Sequence, residues 1–439
     1  MRGRRRRAAS LTALALSGLL LLSGCRYGDR WPGPPRPPRP PKPTPSATAT
    51  PSTTPTPSVT PSVTPSESSS ATPEPPGQVT LPSPLPAATG LQALGTTPAP
   101  PPGSTGGVVA LTPDGEFVVW ERRLDTSDDA GVRTRYPSRI GIAAPGGAAT
   151  WFRPEPADQA QLRLVTTGDA AGDWVVWREE PFRDTPGDAV LSAYNRATGT
   201  VTEVARVSGT TLQPPVIAGD RVYWEQSSLT PEANGIWSAP LAGGPPRAEV
   251  ADGSGVTADR CGAAAALLYT TTAADGSAAE VHRRTASGDT LGPDTTVLTR
   301  GLGRGLSVLG LAACGGDVAI ATGRPGALDL PEWAEGRVLV QDAGGAAVEI
   351  TLPTGFTGRE LVLSERLLGF VTVPHSLFGL QDQVLFDRTT SAAASLGANG
   401  SGGDVLQTSA VRLAGGDVVA WVGVVNLTFL QGTAARYPG

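Results

Sequence analysis

Lysine is almost missing from this chain: Lys42 is the only one, and Met1 is the only methionine. A GC-rich coding sequence disfavours both codons, which accounts for the bias better than selection for heat resistance. Histidine occurs twice, at His282 and His375, and cysteine three times. Metal sites built on imidazole or thiolate need clusters of ligands. Neither histidine has a second one at helical or hairpin spacing, so no metal site and no cofactor is expected, and each histidine reads as a surface-loop or sheet-edge residue. Pro374-His375-Ser376 has no Gly-x-Ser-x-Gly elbow to accompany it, so the usual setting of a Ser/His hydrolase is absent. The one strongly apolar run, Leu11 to Leu22, falls short of the ~20 residues that a spanning helix needs.

That run has the form of an export signal. Arg2 and Arg4 to Arg7 precede it as a basic region, and it ends in Leu22-Ser23-Gly24-Cys25. Small residues directly before a cysteine resemble the lipobox of bacterial lipoproteins. The resemblance implies cleavage after Gly24 and lipidation of Cys25, with palmitate among the acyl groups. Residues 1–24 hold five of the 35 basic residues and none of the 40 acidic ones, which leaves a mature chain of net charge −10. A nucleic-acid partner requires a basic face, so none is expected. Residues 25–85 are dominated by Pro, Ser, Thr and Ala, as in Pro-Ser-Val-Thr-Pro-Ser-Val-Thr-Pro. They carry too few large apolar side chains to offset the entropy of ordering. They read as a disordered linker that reaches beyond roughly 100 Å when extended at ~3.1 Å per residue.

From residue 86 the chain repeats itself. Gly172-Asp173-Trp174-Val175-Val176-Trp177 and Gly219-Asp220-Arg221-Val222-Tyr223-Trp224 nearly coincide. Weaker echoes occur at Asp114 to Trp120 and Gly416 to Trp421. The large residues that end each Val-rich strand are Trp120, Trp177, Trp224, Tyr269, Ile320, Phe370 and Trp421, spaced by 57, 47, 45, 51, 50 and 51 residues. A period near 50 marks an array of small sheets. A further strand starts at Ile140, Val190, Ile236, Val281, Val338 and Val384, and Gly-rich turns separate the strands, so each unit reads as a four-stranded antiparallel meander. Such a sheet cannot bury both of its faces alone, whereas a radial stack of them can. The expectation is an all-β chain whose domain, residues 86–439, is a β-propeller of seven four-stranded blades. The seventh unit lacks a fourth strand, and residues near 90–95 are expected to supply it and close the ring. A pair of β-sandwich domains is the alternative.

Thr112-Pro113-Asp114-Gly115-Glu116-Phe117-Val118-Val119-Trp120 resembles the Ser-Pro-Asp-Gly repeat of TolB-type β-propellers, and Pro215 to Trp224 resembles a related repeat of exported prokaryotic propellers. Units four to six depart from it, with Cys261-Gly262-Ala263-Ala264 and Ser364-Glu365-Arg366 in place of the Gly-Asp turn. The resemblance carries no catalytic residue over, because what is shared is a turn and a strand. It implies a binding or scaffolding module outside the cytoplasm, and a monomer is expected. This module is expected to be lipid-anchored to the cell membrane, or to the outer membrane of a diderm, and to bind a protein or cell-wall polysaccharide through its loops. An exported propeller hydrolase or lyase acting on glycans or peptides is the alternative. Asp125-Thr126-Ser127-Asp128-Asp129, with Glu179, Glu180 and Asp184 in the next unit, suggests an acidic rim; the first stretch lacks the Gly and distal Glu of a calcium loop. Gly301-Leu302-Gly303-Arg304-Gly305 lacks the strand–helix setting of a phosphate loop and reads as an inter-strand connection. Cys261 and Cys314 occupy equivalent places in consecutive units, which a propeller makes neighbours. Export permits a disulfide between them, and two buried free thiols are the alternative.

Overall fold

The computed structural model describes residues 77–438 apart from 128–132, 135, 154–162, 182–187, 208–212, 228–233, 274, 304–305, 325–335, 375–379, 401–410, 415–416 and 427–428. The described residues contain strands and no helix. They form a seven-bladed β-propeller. Each blade is an antiparallel meander, and the innermost strands are Ser104–Leu111, Arg163–Ala171, Val216–Ala218, Ser254–Asp259, Ser307–Cys314, Phe356–Leu363 and Val411–Ala414. Each touches the innermost strand of the next blade, and the last touches the first, so the ring is closed. Every aligned residue from Trp120 to Trp421 lies on the second strand of its blade.

The core is divided among the blade interfaces. Seven apolar clusters occur among the described residues, and each draws on two neighbouring blades. Trp177 closes the interface of blades one and two, Trp224 that of two and three, Tyr269 that of three and four, and Phe370 that of five and six. Second strands are covered on both faces, which is why their sequences run apolar without alternation. At ~25 cal/mol per Å² over ~200 Å² of aromatic surface, a buried Trp contributes on the order of 5 kcal/mol before entropy is subtracted.

Ring closure uses the expected segment. Gln92–Thr96 pairs antiparallel with Phe429–Arg436, from Gln92 opposite Arg436 to Thr96 opposite Thr433. Thr97 completes the seam: its N–H donates to the Gly432 carbonyl at 2.8 Å, and its Oγ1 accepts from Gly432 N at 3.0 Å. The segment before it was not foreseen. Gly77–Thr80 lies parallel along the outer strand of blade five, Ala347–Thr351. Leu81 is buried in the cluster of blades five and six. Ser395 of blade six then donates its N–H to Pro86 O at 2.7 Å and accepts from Ala88 N at 2.8 Å. Residues 77–96 therefore form a belt over the outer edges of three successive blades. The boundary expected at residue 86 falls inside it, because Pro82, Pro84 and Pro86 give an ordered strap the composition of a linker.

Polar latches also join the blades. In four blades the residue after the third strand donates its N–H to the first turn of its own blade: Arg196 to Asp173 O, Leu241 to Asp220 O, Arg388 to Arg366 O and Tyr437 to Asp417 O, at 2.7–2.9 Å. Its side chain reaches back to the preceding blade. Arg196 pairs with Asp114 (3.1 Å) and Glu116 (2.5 Å), Arg388 with Asp317 (2.5 Å), and the Tyr437 hydroxyl donates to Asp387 (3.2 Å), while Leu241 enters the apolar interface. Arg260 of blade four spans further. It donates to Ile217 O of blade three (3.1 Å) and to Asp169 Oδ1 of blade two (3.0 Å).

Cys261 and Cys314 are joined by a disulfide, with Cα atoms 4.9 Å apart. It links the first turns of blades four and five beside Asp259, whose side chain is 0% exposed. That carboxylate accepts from Gly315 N (2.8 Å), Gly316 N (3.1 Å) and Cys261 N (3.1 Å), and pairs with Arg283 (2.9 Å).

The innermost strands bulge against their second strands. In blade four, Gly255 and Val256 oppose Tyr269 alone, and Gly255 has φ +61°. Blade six repeats this bulge, with Glu360 and Leu361 opposite Phe370, yet here the left-handed position (φ +52°) is a glutamate. A non-glycine residue held there costs roughly 1–3 kcal/mol. Burial raises the Glu360 carboxyl from 4.5 to about 7, against the opposing pull of Arg412 and Arg359.

Two predictions follow from these contacts. Converting Cys261 and Cys314 together to serine opens a 53-residue separation and lowers stability by about 4 kcal/mol on the chain-entropy relation, measured by denaturant titration with and without reductant. For Glu360, the folded state holds a proton that the unfolded chain releases. Its contribution is therefore complete below pH 4.5 and is lost as pH rises to about 7. Glu360→Gln abolishes that slope and Glu360→Gly raises the melting temperature at pH 8; unchanged pH profiles in both variants would contradict the assignment.

Candidate functional site

The two faces of the ring differ. First-to-second and third-to-fourth strand connections are tight turns, such as Gly172-Asp173 and Gly219-Asp220, with positive φ at both glycines. At the opposite face the second and third strands are separated by more residues, as between Arg123 and Arg139 or between Pro181 and Ala189. Variable loops on a rigid frame are where recognition usually sits.

Of the acidic residues expected at a rim, Asp125, Glu179 and Glu180 are described, and each is paired with an arginine, as is Glu121 beside them. Glu121 pairs with Arg139 at 2.9 Å, Asp125 with Arg122 at 2.8 Å and Glu180 with Arg178 at 3.1 Å. Glu179 is buried, paired with Arg153 and accepting the Trp177 indole N–H at 2.6 Å. A carboxylate packed against apolar strands needs a cation and donors, and each of these four described acids has an arginine beside it. Asp128, Asp129 and Asp184 lie outside the described residues, as do Cys25, Arg304, Gly305 and His375.

His282 is not a loop or edge residue. It lies on the third strand of blade four, Ala278–Ser287, with a side chain 14% exposed. Its ring stacks on Tyr269 at 5.1 Å, Nδ1 is 3.3 Å from Asp294, and Nε2 is 2.9 Å from Thr271 Oγ1. The Tyr269 hydroxyl donates to the same Asp294 at 2.6 Å, and burial followed by that bond raises its pKa. The cluster ties the second and third strands of the blade to Asp294, the residue before its fourth strand. Among the described residues no three His, Cys, Asp or Glu side chains converge as metal ligands do. Gly301 ends the fourth strand of blade four, and Leu302 and Gly303 begin the passage to blade five.

Two adjoining hollows among the described residues lie at the seam of blades seven and one. A hollow of about 250 Å³ is roofed by Thr97–Pro101 and lined by Val119, Glu121, Arg139, Ala149 and Trp151. Trp120 borders it, while its ring packs into the interface of blades one and two. A second hollow of about 350 Å³ shares Pro101, Glu121 and Arg139 with the first and adds Arg122, Arg123, Ser104 and Pro137. Gly141 shapes the floor: a Cβ there would lie 2.9 Å from the Trp151 ring and 2.5 Å from Thr150 O. Only glycine lets the indole lie across the third strand, where the Arg139 guanidinium covers it at 4.0 Å. Sequence reading missed this groove because Trp151 and Arg139 meet only through strand register. A glycine inside the Arg139–Ala143 strand was its one visible sign.

No family model and no curated protein matches the chain. Among solved structures it is similar to a prolyl endopeptidase (13% identity, TM-score 0.42), covering 73% of this chain but 46% of that one, so it spans about half that protein's length. It is also similar to the β-propeller domain of the Trilobed protease from Pyrococcus furiosus (7% identity, TM-score 0.46, 76% and 94% of the two chains). TolB from Acinetobacter baumannii is a third neighbour (12% identity, TM-score 0.37, 78% and 66%). Identities this low transfer no substrate or activity.

Proposed function

We propose that this chain is an exported, lipid-anchored propeller that binds a protein or a cell-envelope polymer, holding it away from the membrane on a long tether. The seam groove carries this reading: it is a built hollow on the long-loop face, with an indole set by a glycine and a paired Arg–Glu at its mouth. The Leu22-Ser23-Gly24-Cys25 stretch supports anchoring at Cys25, and residues 26–76 have the composition of an extended spacer. Five cations among residues 26–42 (Arg26, Arg30, Arg36, Arg39 and Lys42) each add about 1 kcal/mol of attraction to an anionic surface if they lie close to it.

Two measurements test the reading. Cys25→Ser should abolish incorporation of labelled palmitate and move the protein from the membrane to the soluble extracytoplasmic fraction; continued labelling would refute anchoring at Cys25. Immobilised full-length protein should retain a reproducible protein or polymer from solubilised envelope, and Trp151→Ala should reduce that retention about tenfold, equivalent to the loss of one well-buried aromatic contact. Reproducible retention of nothing would refute binding.

A further inference from the structure

We propose that the outer edge of blade five is a docking site for an extended strand of a partner protein, and that residues 77–81 occupy it in cis. The inference rests on the protein branch of the binding reading above and adds a surface different from the seam groove.

The strap is an addition to a finished frame. Blade five already has its four strands, Ser307–Cys314, Asp317–Gly323, Arg337–Gln341 and Ala347–Thr351, in the antiparallel order of its neighbours. Gly77–Thr80 joins them as a fifth strand and runs parallel to the last. The ring is closed elsewhere, by Gln92–Thr96 on blade seven. Neither the blade nor the closure therefore needs the strap, and the propeller remains whole when it leaves. Its departure uncovers a row of unpaired backbone N–H and C=O groups, the template to which another extended chain adds.

The strap also shows which chain fits. Alternate residues of a strand serve opposite faces. Val79 and Leu81 pack on the cluster of blades five and six, where Leu81 is 3% exposed. The Leu81 N–H donates to Thr351 O at 3.1 Å, which fixes the register. On the other face Gln78 Nε2 donates to Glu349 Oε1 at 3.5 Å. Glu349 is buried between Arg337, at 2.8 Å, and Arg300 of blade four. A cation in place of Gln78 would meet those two guanidinium groups and an anion would meet the carboxylate, so a neutral donor suits the position. A Cβ on Gly77 would have no contact closer than 3.7 Å, so the first position is unrestricted. Thr80 is exposed. The partner segment thus reads any residue, neutral hydrogen-bond donor, β-branched residue, polar residue, leucine. A charge in place of that leucine would be buried without a counter-ion. Residues 82–91 tether the strap to the closing strand, and a short tether holds it at an effective concentration of about millimolar. The intact chain therefore keeps the edge filled against dilute competitors.

The test is fluorescence anisotropy with a labelled peptide of the sequence of residues 76–82, added to the full-length protein. In the double variant Val79→Asp, Leu81→Asp the strap would bury unpaired charge, so it leaves the edge. The peptide should bind that variant at least about tenfold more tightly than the unaltered protein, whose edge is filled. An unrelated peptide of the same pattern, Ala-Asn-Ile-Ser-Leu, should bind it too, and the same peptide ending in Asp should not. Hydrogen exchange places the site. The Ala347–Thr351 amides that face the strap should lose protection in the variant and regain it with peptide, while Gln92–Thr96 stays protected throughout. Gln78→Glu, an exposed change that leaves the apolar contacts in place, should open the edge in part and replaces the double variant if that does not fold. Equal binding to variant and unaltered protein, binding of the Asp-ending peptide, or no renewed protection overturns the inference. A dimer of the unaltered protein that Leu81→Asp abolishes makes a second copy the occupant and overturns the assignment to another protein. These failures leave envelope capture standing, whereas no capture by the unaltered protein overturns the binding reading itself.

Discussion

Each blade of this protein has two apolar faces and too few residues to bury either of them by itself. The fold satisfies that constraint by letting every sheet serve as the cover of the next. Seven clusters of buried side chains, one per interface, replace the single core of an ordinary domain. Closure is then obligatory, because an open arc would leave two faces wet. The pairing of Gln92–Thr96 with the last blade, the parallel bridge from Gly106 to Phe429 and the Thr97–Gly432 bonds all belong to that one interface.

Polar groups settle around this frame in a regular way. In four blades the position after the third strand is backbone-fixed by its N–H bond to the first turn, and the side chain that stands there points at the preceding blade. In different blades it is arginine, leucine or tyrosine, and the contact is an ion pair, an apolar insertion or a hydroxyl bond. Buried acids such as Asp259 and Glu349 follow the same logic. Burial pushes the Glu349 carboxyl up, but Arg300 and Arg337 outweigh that and hold it below its ordinary range.

What could be read from the sequence was what local chemistry dictates. Second strands covered on both faces must be apolar throughout, so Trp120 to Trp421 aligned at a period near 50 even where the Gly-Asp turn had drifted, as at Cys261-Gly262. The missing fourth strand was visible because a meander has a countable number of strands. Contacts that depend on residues far apart left no such mark. Arg260 meets Asp169 across 91 positions, and His282 meets Asp294 through the register of two strands. The groove was hidden for the same reason, since Trp151, Arg139 and Pro101 come from three separate segments. The belt was hidden by its prolines, which mimic a linker while Val79 and Leu81 pack beneath them.

That belt has a mechanical consequence. The chain enters the ring at Gly77, on blade five, and reaches the closing strand only after being fastened to blades five and six. A pull along the strand ahead of Gly77 loads the hydrogen bonds of Gly77–Thr80 together, in shear, and then the Ser395 clasp. Gln92–Thr96, whose release would open the ring, feels no force until both have given way. The strap acts as strain relief: a load applied ahead of Gly77 is taken at the rim before it reaches the seam and the groove beside it.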